Sequence, residues 1–205
     1  MEPVLDQLID QLSEEEDRIP ESRYPVLDAL AKIIREERKA KEPVRLNFIC
    51  THNSRRSQIA QIWAHAAAAA YQIPHMEMYS GGTEATAFHP NAVRAMRTLG
   101  FRISLSEQQQ KENPRYEISV GTGLPSLTCY SKRFDESLPK DESFVAVMTC
   151  SDADQNCPVV PGATSRIPLT YEDPKAFDGT DREQQAYLNT AVEIGREIIR
   201  VFRRL

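Results

Sequence analysis

The stretch "NFICTHNSRRSQIA", residues 47–60, decides how the chain is read. It starts inside the alternating, β-rich run "VRLNFIC" (44–50) and crosses a polar loop. It then enters "SQIAQIWAHAAAAAYQ" (57–72), where Ile59, Ile62, Trp63, Ala66 and Ala70 recur at helical spacing. A strand, a loop and a helix therefore follow one another. Backbone N–H groups at such a junction are unpaired, and the positive end of the helix dipole lies behind them. Wrapped as a nest, the N–H groups of Thr51, His52, Asn53, Ser54, Arg55, Arg56 and Ser57 can hold a tetrahedral oxyanion. Cys50 sits beneath that anion, where the same field favours a thiolate nucleophile. Arg56 can fork onto two oxygens, and Ser57 can donate its hydroxyl to the sulfur. Asn53 can take the left-handed conformation that the loop needs without glycine. A lone Cys–Arg pair would mean only a buried thiol beside a solvent-facing arginine. The C-x5-R-S spacing within strand–loop–helix context argues against that reading.

Outward from this loop, "MEMYSGG" (76–82) fits a second strand and "HPNAVRAMRTLG" (89–100) a helix, with Pro90 suited to its first turn and Gly100 to its end. "FVAVMTC" (144–150) is a continuous apolar strand of the buried type. A last helix is expected from the capping box Thr180-Asp181-Arg182-Glu183 to the C-terminus. Alternating strands and helices predict an α/β fold with a mainly parallel sheet flanked by helices. Residues 3–12 and 23–39 predict two amphipathic helices, an N-terminal helical hairpin within 1–43 that ends in the charged linker "EERKAKEP". The α/β domain occupies 44–205. Its stretch 106–142 is polar, contains Gly121, Gly123 and three prolines, and reads as an irregular insertion.

The net charge of −5 excludes a general nucleic-acid binder, so an anion must be held by a local site. No apolar run approaches about 18 residues, the length that suggests a membrane span. The acidic N-terminus does not resemble a secretory signal. The expectation is a cytoplasmic protein that meets neither nucleic acid nor membrane. In a reducing compartment its four cysteines are better suited to chemistry than to a structural staple. "VAVMTCSDADQNCPVVPGA" (145–163) places Cys150 at a strand end and Cys157 seven positions on, with a flexible polar stretch between them. C-x6-C is not the usual zinc spacing. A second thiol near Cys50 could resolve a covalent adduct, and a third could carry the disulfide outward by exchange. Two unrelated buried thiols are the plain alternative. A leaving oxygen also needs a proton donor. "LTYEDPKAFDG" (169–179) supplies Asp173, held extended by Pro174, with Glu172 and Asp178 as weaker candidates; alone, Asp-Pro would be an ordinary acidic turn.

"FICTHNSRRSQIAQIWA" resembles the phosphate loop and following helix of the low-molecular-weight protein tyrosine phosphatase superfamily, and "YSGGTEATAFHPNAVRAMRTLGFRIS" is similar to its next strand and helix. The likeness covers 44–105 and 143–178 and implies a phosphatase-I-like fold. "CSDADQNCP" resembles the redox segment of the thioredoxin-coupled, three-cysteine arsenate reductases. By position the resemblance makes Cys50 the nucleophile, Cys150 the resolving thiol and Cys157 the exposed thiol. Arg56 then binds the oxyanion and Asp173 is the acid, while Cys129 has no counterpart. It implies reduction of arsenate to arsenite with thioredoxin or a similar dithiol as partner, and no cofactor. Such reductases often hold potassium near the loop through its asparagine and an acidic residue on the next helix; Asn53 matches, but Gln61 stands at the helix position. The phosphatase branch, hydrolysing a phosphomonoester through phospho-Cys50, is the alternative. Lys175 and Ala176, where the tyrosine phosphatases commonly carry aromatics, favour a small inorganic oxyanion. A third reading is an anion- or redox-sensing module whose hairpin contacts a partner or a second copy in a homodimer. The side chains of His52 and Arg55 are expected to face solvent, and His89 to cap the helix begun at Pro90.

Overall fold

The computed structural model of the protein describes residues 1–40, 43–107, 111–157 and 159–205. Two residues of the expected linker and three of the 106–142 stretch thus lie outside the described residues. In chain order the elements are α1 (Pro3–Glu14), α2 (Tyr24–Ala40), β1 (Val44–Cys50), α3 (Arg56–Ala70), β2 (Met76–Gly82), α4 (Pro90–Thr98), β3 (Arg102–Leu105), β4 (Tyr116–Ser119), β5 (Leu127–Cys129), β6 (Phe144–Met148), α5 (Ser151–Asn156), β7 (Ala163–Pro168) and α6 (Glu183–Arg203).

Four parallel strands form the main sheet in the order β2-β1-β6-β7. Such a sheet is covered on both faces, and alternate residues divide accordingly. Leu46 and Phe48 of β1, with Val145 and Val147 of β6, join the large core under α3 and α6. Ile49, Ala146 and Met148 face a smaller cluster with Val160 and the α5 residue Ala153. Trp63 is fully buried where α3 meets α6, donating its Nε1–H to the Ala191 carbonyl at 2.8 Å and meeting Phe101 edge-on at 5.0 Å.

The hairpin packs on this domain. Leu5, Ile9 and Leu12 of α1, and Leu27, Leu30 and Ile34 of α2, belong to the same apolar core as α3 and α6. Around that contact Arg196 pairs with Glu15 at 2.7 Å, and Arg200 with Glu16 and Asp28 at 2.9 Å each.

Several elements depart from the sequence expectation. Helix α2 runs through Ala40, so most of the charged "linker" is helix. The supposedly irregular 106–142 contains β4, which pairs antiparallel with β3, and β5, which pairs antiparallel with β4, and they bury Ile118 and Cys129. Strands of four and three residues are too short to display a period. The capping box does not form: Thr180 accepts from Arg182 N and donates to the Phe177 carbonyl, and α6 begins at Glu183. Residues 151–156, expected to be flexible, form the helix α5.

Gly195 of α6 tests the tight packing. A Cβ there would stand 2.5 Å from the Trp63 ring. Gly→Ala in a helix otherwise gains about 1 kcal/mol, whereas overpacking costs about 1–3 kcal/mol. Gly195→Ala is therefore expected to lower unfolding stability, read as a reduced urea midpoint with unchanged slope.

Candidate active site

The strands β1 and β6 run in register from Leu46 opposite Val145 to Ile49 opposite Met148. Beyond Met148 the pairing continues, since Thr149 donates both its N–H and its hydroxyl to the Ile49 carbonyl, at 2.7 and 2.9 Å. Carried one step further, that register makes Cys50 and Cys150 diagonal neighbours. Strand spacing and rise put such Cα atoms roughly 6 Å apart, and both residues belong to the same small buried cluster. The Thr51 hydroxyl oxygen lies 3.6 Å from the Cys150 sulfur.

The loop after Cys50 is held by its own side chains. Asn53 adopts the left-handed conformation, φ 46°, and its N–H donates to the Cys50 sulfur at 3.1 Å. The Ser57 hydroxyl is 3.0 Å from the same sulfur. It accepts from Asn53 Nδ2 at 2.9 Å, which leaves its own proton for the sulfur. Asn53 Oδ1 in turn accepts from Lys132 N at 3.0 Å and from Gln58 Nε2 at 3.1 Å. Ser54 donates to the Ala87 carbonyl at 2.7 Å, tying the loop to the chain before α4. Gly82, ending β2, admits this close approach: a Cβ there would meet Asn53 N at 2.8 Å and Thr51 O at 2.7 Å.

Arg56 starts α3 and is buried. It donates from Nη1 to the Tyr171 carbonyl at 2.8 Å and from Nη2 to Asp173 Oδ2 at 2.6 Å. Asp173 Oδ1 accepts from Lys175 N at 3.0 Å, so the carboxylate caps the short turn Pro174–Phe177. Cys50, Thr51, His52, Ser54, Arg55, Arg56 and Asp173 line one small pocket.

His52 is half exposed beside Glu84, as its loop position suggested. Arg55 is not solvent-facing. Its Nε donates to the Tyr187 hydroxyl at 2.6 Å and its Nη2 to Asp178 at 3.1 Å, while that hydroxyl donates to Asp178 at 2.7 Å. His89 caps α4, its Nδ1 accepting from Asn91 N at 3.3 Å, and stacks on Tyr187 at 5.5 Å. Sequence reasoning missed Tyr171, Tyr187, Gln58 and Gly82. Only the paired glycines of "YSGG" carried a signal, because glycine in a strand marks close backbone approach.

Cys150 is buried at the start of α5, where its sulfur accepts from Ala153 N at 3.4 Å. Cys157, partly exposed, ends the same helix. Arg166 of β7 fastens that end, bonding the Cys157 carbonyl at 3.2 Å and pairing with the Asp154 carboxylate at 2.6 Å. Val159, just beyond, is 77% exposed. Cys129 lies in the core, where burial pushes its thiol up to about 12.

No family model matches the chain. Among characterised proteins it is similar to an arsenate reductase of Halalkalibacterium halodurans, 32% identical over 152 residues that span 74% of this chain and 89% of that protein. The chain belongs to this family of arsenate reductases. The family's member in Bacillus licheniformis is 32% identical over 154 residues, 75% of this chain and 91% of its own. That of Bacillus subtilis is 30% identical over 152 residues, 74% and 89%. Among solved structures, a low-molecular-weight protein tyrosine phosphatase from T. tengcongensis superposes with a TM-score of 0.51 at 18% identity, covering 79% of this chain and 99% of that one. A YwlE mutant from Bacillus subtilis gives 0.50 at 16%, covering 78% and 97%. These establish the shared fold.

The potassium site often found near this loop does not fit the residues present. Asn53 Oδ1 is committed to Lys132 N and Gln58, and Gln61 Oε1 accepts from the Ser80 hydroxyl at 2.6 Å. The neighbouring cation is the chain's own: the buried Lys132 ammonium lies 3.3 Å from the Tyr130 carbonyl and 4.5 Å from its ring centre. Burial pulls Lys132 down to about 8 from the ordinary 10.5. Between those values the unfolded chain holds a proton that the folded chain has lost, so Lys132 makes stability rise with pH across that window. Stability of the wild type relative to Lys132→Met is expected to increase from pH 7 to pH 10, measured by urea unfolding at each pH.

Proposed function

We propose that the protein reduces arsenate to arsenite through Cys50, Cys150 and Cys157, with thioredoxin or a similar dithiol as the electron source. The observation that carries this reading is the second thiol. Cys150 stands two residues beyond β6, the strand beside that of Cys50, with its sulfur 3.6 Å from the Thr51 hydroxyl oxygen of the oxyanion loop. A hydrolytic phosphatase has no use for it.

Arsenate enters the loop and takes the place of the Asp173 carboxylate on Arg56, whose guanidinium forks onto two arsenate oxygens. The Cys50 thiolate attacks arsenic, and Asp173, carrying a proton, delivers it to the departing oxygen, which leaves as water. The Cys150 thiolate attacks the Cys50 sulfur. A Cys50–Cys150 bond forms, the sulfur–arsenic bond breaks, and its electron pair stays on arsenic as arsenite. Cys157 next attacks the Cys150 sulfur and frees Cys50. The external dithiol finally reduces the Cys150–Cys157 bond.

This last pairing sets a structural demand. Cys150 and Cys157 stand at opposite ends of α5, roughly 10 Å apart at the helical rise, too far for a disulfide. The helix must come apart, and a six-residue helix is short enough to do so readily. A reducing compartment such as the cytoplasm suits the cycle, since the three cysteines of the relay must return to the thiol. The apolar stripes of the hairpin are used in this chain's own core, which supports a structural role for it over a partner-binding one. Arg56 and Asp173 are also compatible with phosphomonoester hydrolysis through phospho-Cys50, which would need neither Cys150 nor Cys157.

The test mixes the protein with arsenate, thioredoxin, thioredoxin reductase and NADPH. Cys157→Ser is expected to release about one arsenite per chain and stop as the Cys50–Cys150 disulfide, cutting steady turnover by a hundredfold or more, on the order of losses seen when members of a catalytic unit are removed. Cys150→Ser should release none. Unchanged NADPH consumption in Cys157→Ser would sink the relay. Cys50-dependent aryl phosphate hydrolysis without arsenate turnover would move the protein to the phosphatase branch.

A further inference from the structure

We infer that Arg23, in the turn between α1 and α2, is a positioning residue for the oxyanion site, and that the N-terminal hairpin holds the acid loop in place through it. It rests on the oxyanion-binding role proposed above for Arg56 and Asp173.

Arg23 forms two bonds of 2.7 Å with the Glu197 carboxylate on α6, a fork that orients the guanidinium as a plane. That plane lies over the ring of Tyr171, 5.1 Å from its centre. Glu197 and Tyr171 are both buried. Hydrogen bonding to Glu197 pushes Arg23 far above the ordinary arginine range, and burial keeps Tyr171 well above 10. The cation and the neutral ring therefore persist at every working pH.

Tyr171 is the point where the acid loop joins the sheet and the active-site arginine. Its N–H donates to the Thr149 carbonyl at 3.2 Å, and its carbonyl receives Arg56 Nη1 at 2.8 Å. Asp173 follows two residues later on Arg56 Nη2. With both backbone groups engaged, the ring is the part of Tyr171 left to fix its orientation, and the Arg23 plane covers it. The next residues of the loop, Glu172, Asp173, Pro174 and Phe177, line an open cleft against α6, a direction in which they can move once the ring is released. Arg55, through Asp178, secures the far end of the loop; Arg23 secures the near end.

Lysine at position 23 retains the charge opposite Glu197 but not the flat fork, so it separates folding from positioning. In the full chain, Arg23→Met and Arg23→Lys are compared with wild type by steady-state arsenate reduction. They are also compared by protection of Cys50 from iodoacetamide with inorganic phosphate, which reads oxyanion binding without any turnover. Arg23→Met is expected to raise the arsenate KM and lower kcat, each roughly tenfold, since misplacements near 1 Å cost up to about a hundredfold. The phosphate concentration for half-protection should rise by a similar factor. Arg23→Lys should show the same direction with a thermal midpoint close to wild type, and it decides the matter if the methionine variant does not fold. Wild-type kinetics and wild-type phosphate protection in folded Arg23→Lys would overturn the inference and leave Arg23 a structural ion pair. Weakened phosphate protection in a protein that never reduces arsenate would keep the inference and discard the arsenate reading. No phosphate protection in the wild type would discard both.

Discussion

A run of hydrogen bonds leads from the strand that carries Cys50 to Arg56. The Ile49 carbonyl accepts from Thr149, the Thr149 carbonyl accepts from Tyr171, and the Tyr171 carbonyl accepts from Arg56. The first two links join main-chain groups, so their positions follow from the register of β1 and β6, and the third places the Arg56 side chain on the Tyr171 carbonyl. Slipping β6 by one residue would send its buried faces to the wrong sides of the sheet. It would also remove Thr149 from Ile49, Cys150 from Thr51 and the acid loop from Arg56 at one stroke. The fully buried sheet forbids that slip, because every residue of β1 and β6 is buried.

Around this frame the molecule divides into parts that are over-held and one part that is not. The loop after Cys50 is over-held. Asn53 alone connects the sulfur, Ser57, Gln58 and Lys132, and a satisfied polar cluster in a low-dielectric setting is stiff. Stiffness there serves a site that must present N–H groups to an oxyanion without rearranging. Helix α5 is the opposite case. It has six residues, a sulfur as its N-terminal acceptor and one arginine at its far end. Segments that move in function come from the weakly held end of a structure, and the proposed thiol relay requires motion in that place.

The strand–loop–helix around Cys50 was legible because its signals are local: the alternation of 44–50, the helical apolar face from Ile59, and a cysteine seven positions before a serine. The parallel sheet was legible from the same local patterns. What the sequence concealed is non-local. Arg55 reads as a loop side chain directed outward, yet Tyr187 and Asp178, more than a hundred positions on, turn it inward. Residues 116–129 read as irregular because their strands are too short for a period and are identified only by the pairing of β4 with β3 and of β5 with β4. The capping box at Thr180 failed because the Thr180 hydroxyl accepts from Arg182 N and not from Glu183 N. The three cysteines could be recognised by resemblance, but only the register brings the first two together.

The proposed cycle requires the contact between Arg56 and Asp173 to be both made and broken, and magnitudes indicate that it can be. Arg56 is buried, but the Asp173 side chain is 36% exposed, so the displaced carboxylate is taken up by water. An oxyanion replacing the carboxylate keeps the arginine fork and adds loop N–H groups, each hydrogen bond to a charged group contributing about 1.5–3 kcal/mol. Exchange is therefore favourable even though the 2.6 Å bond is short.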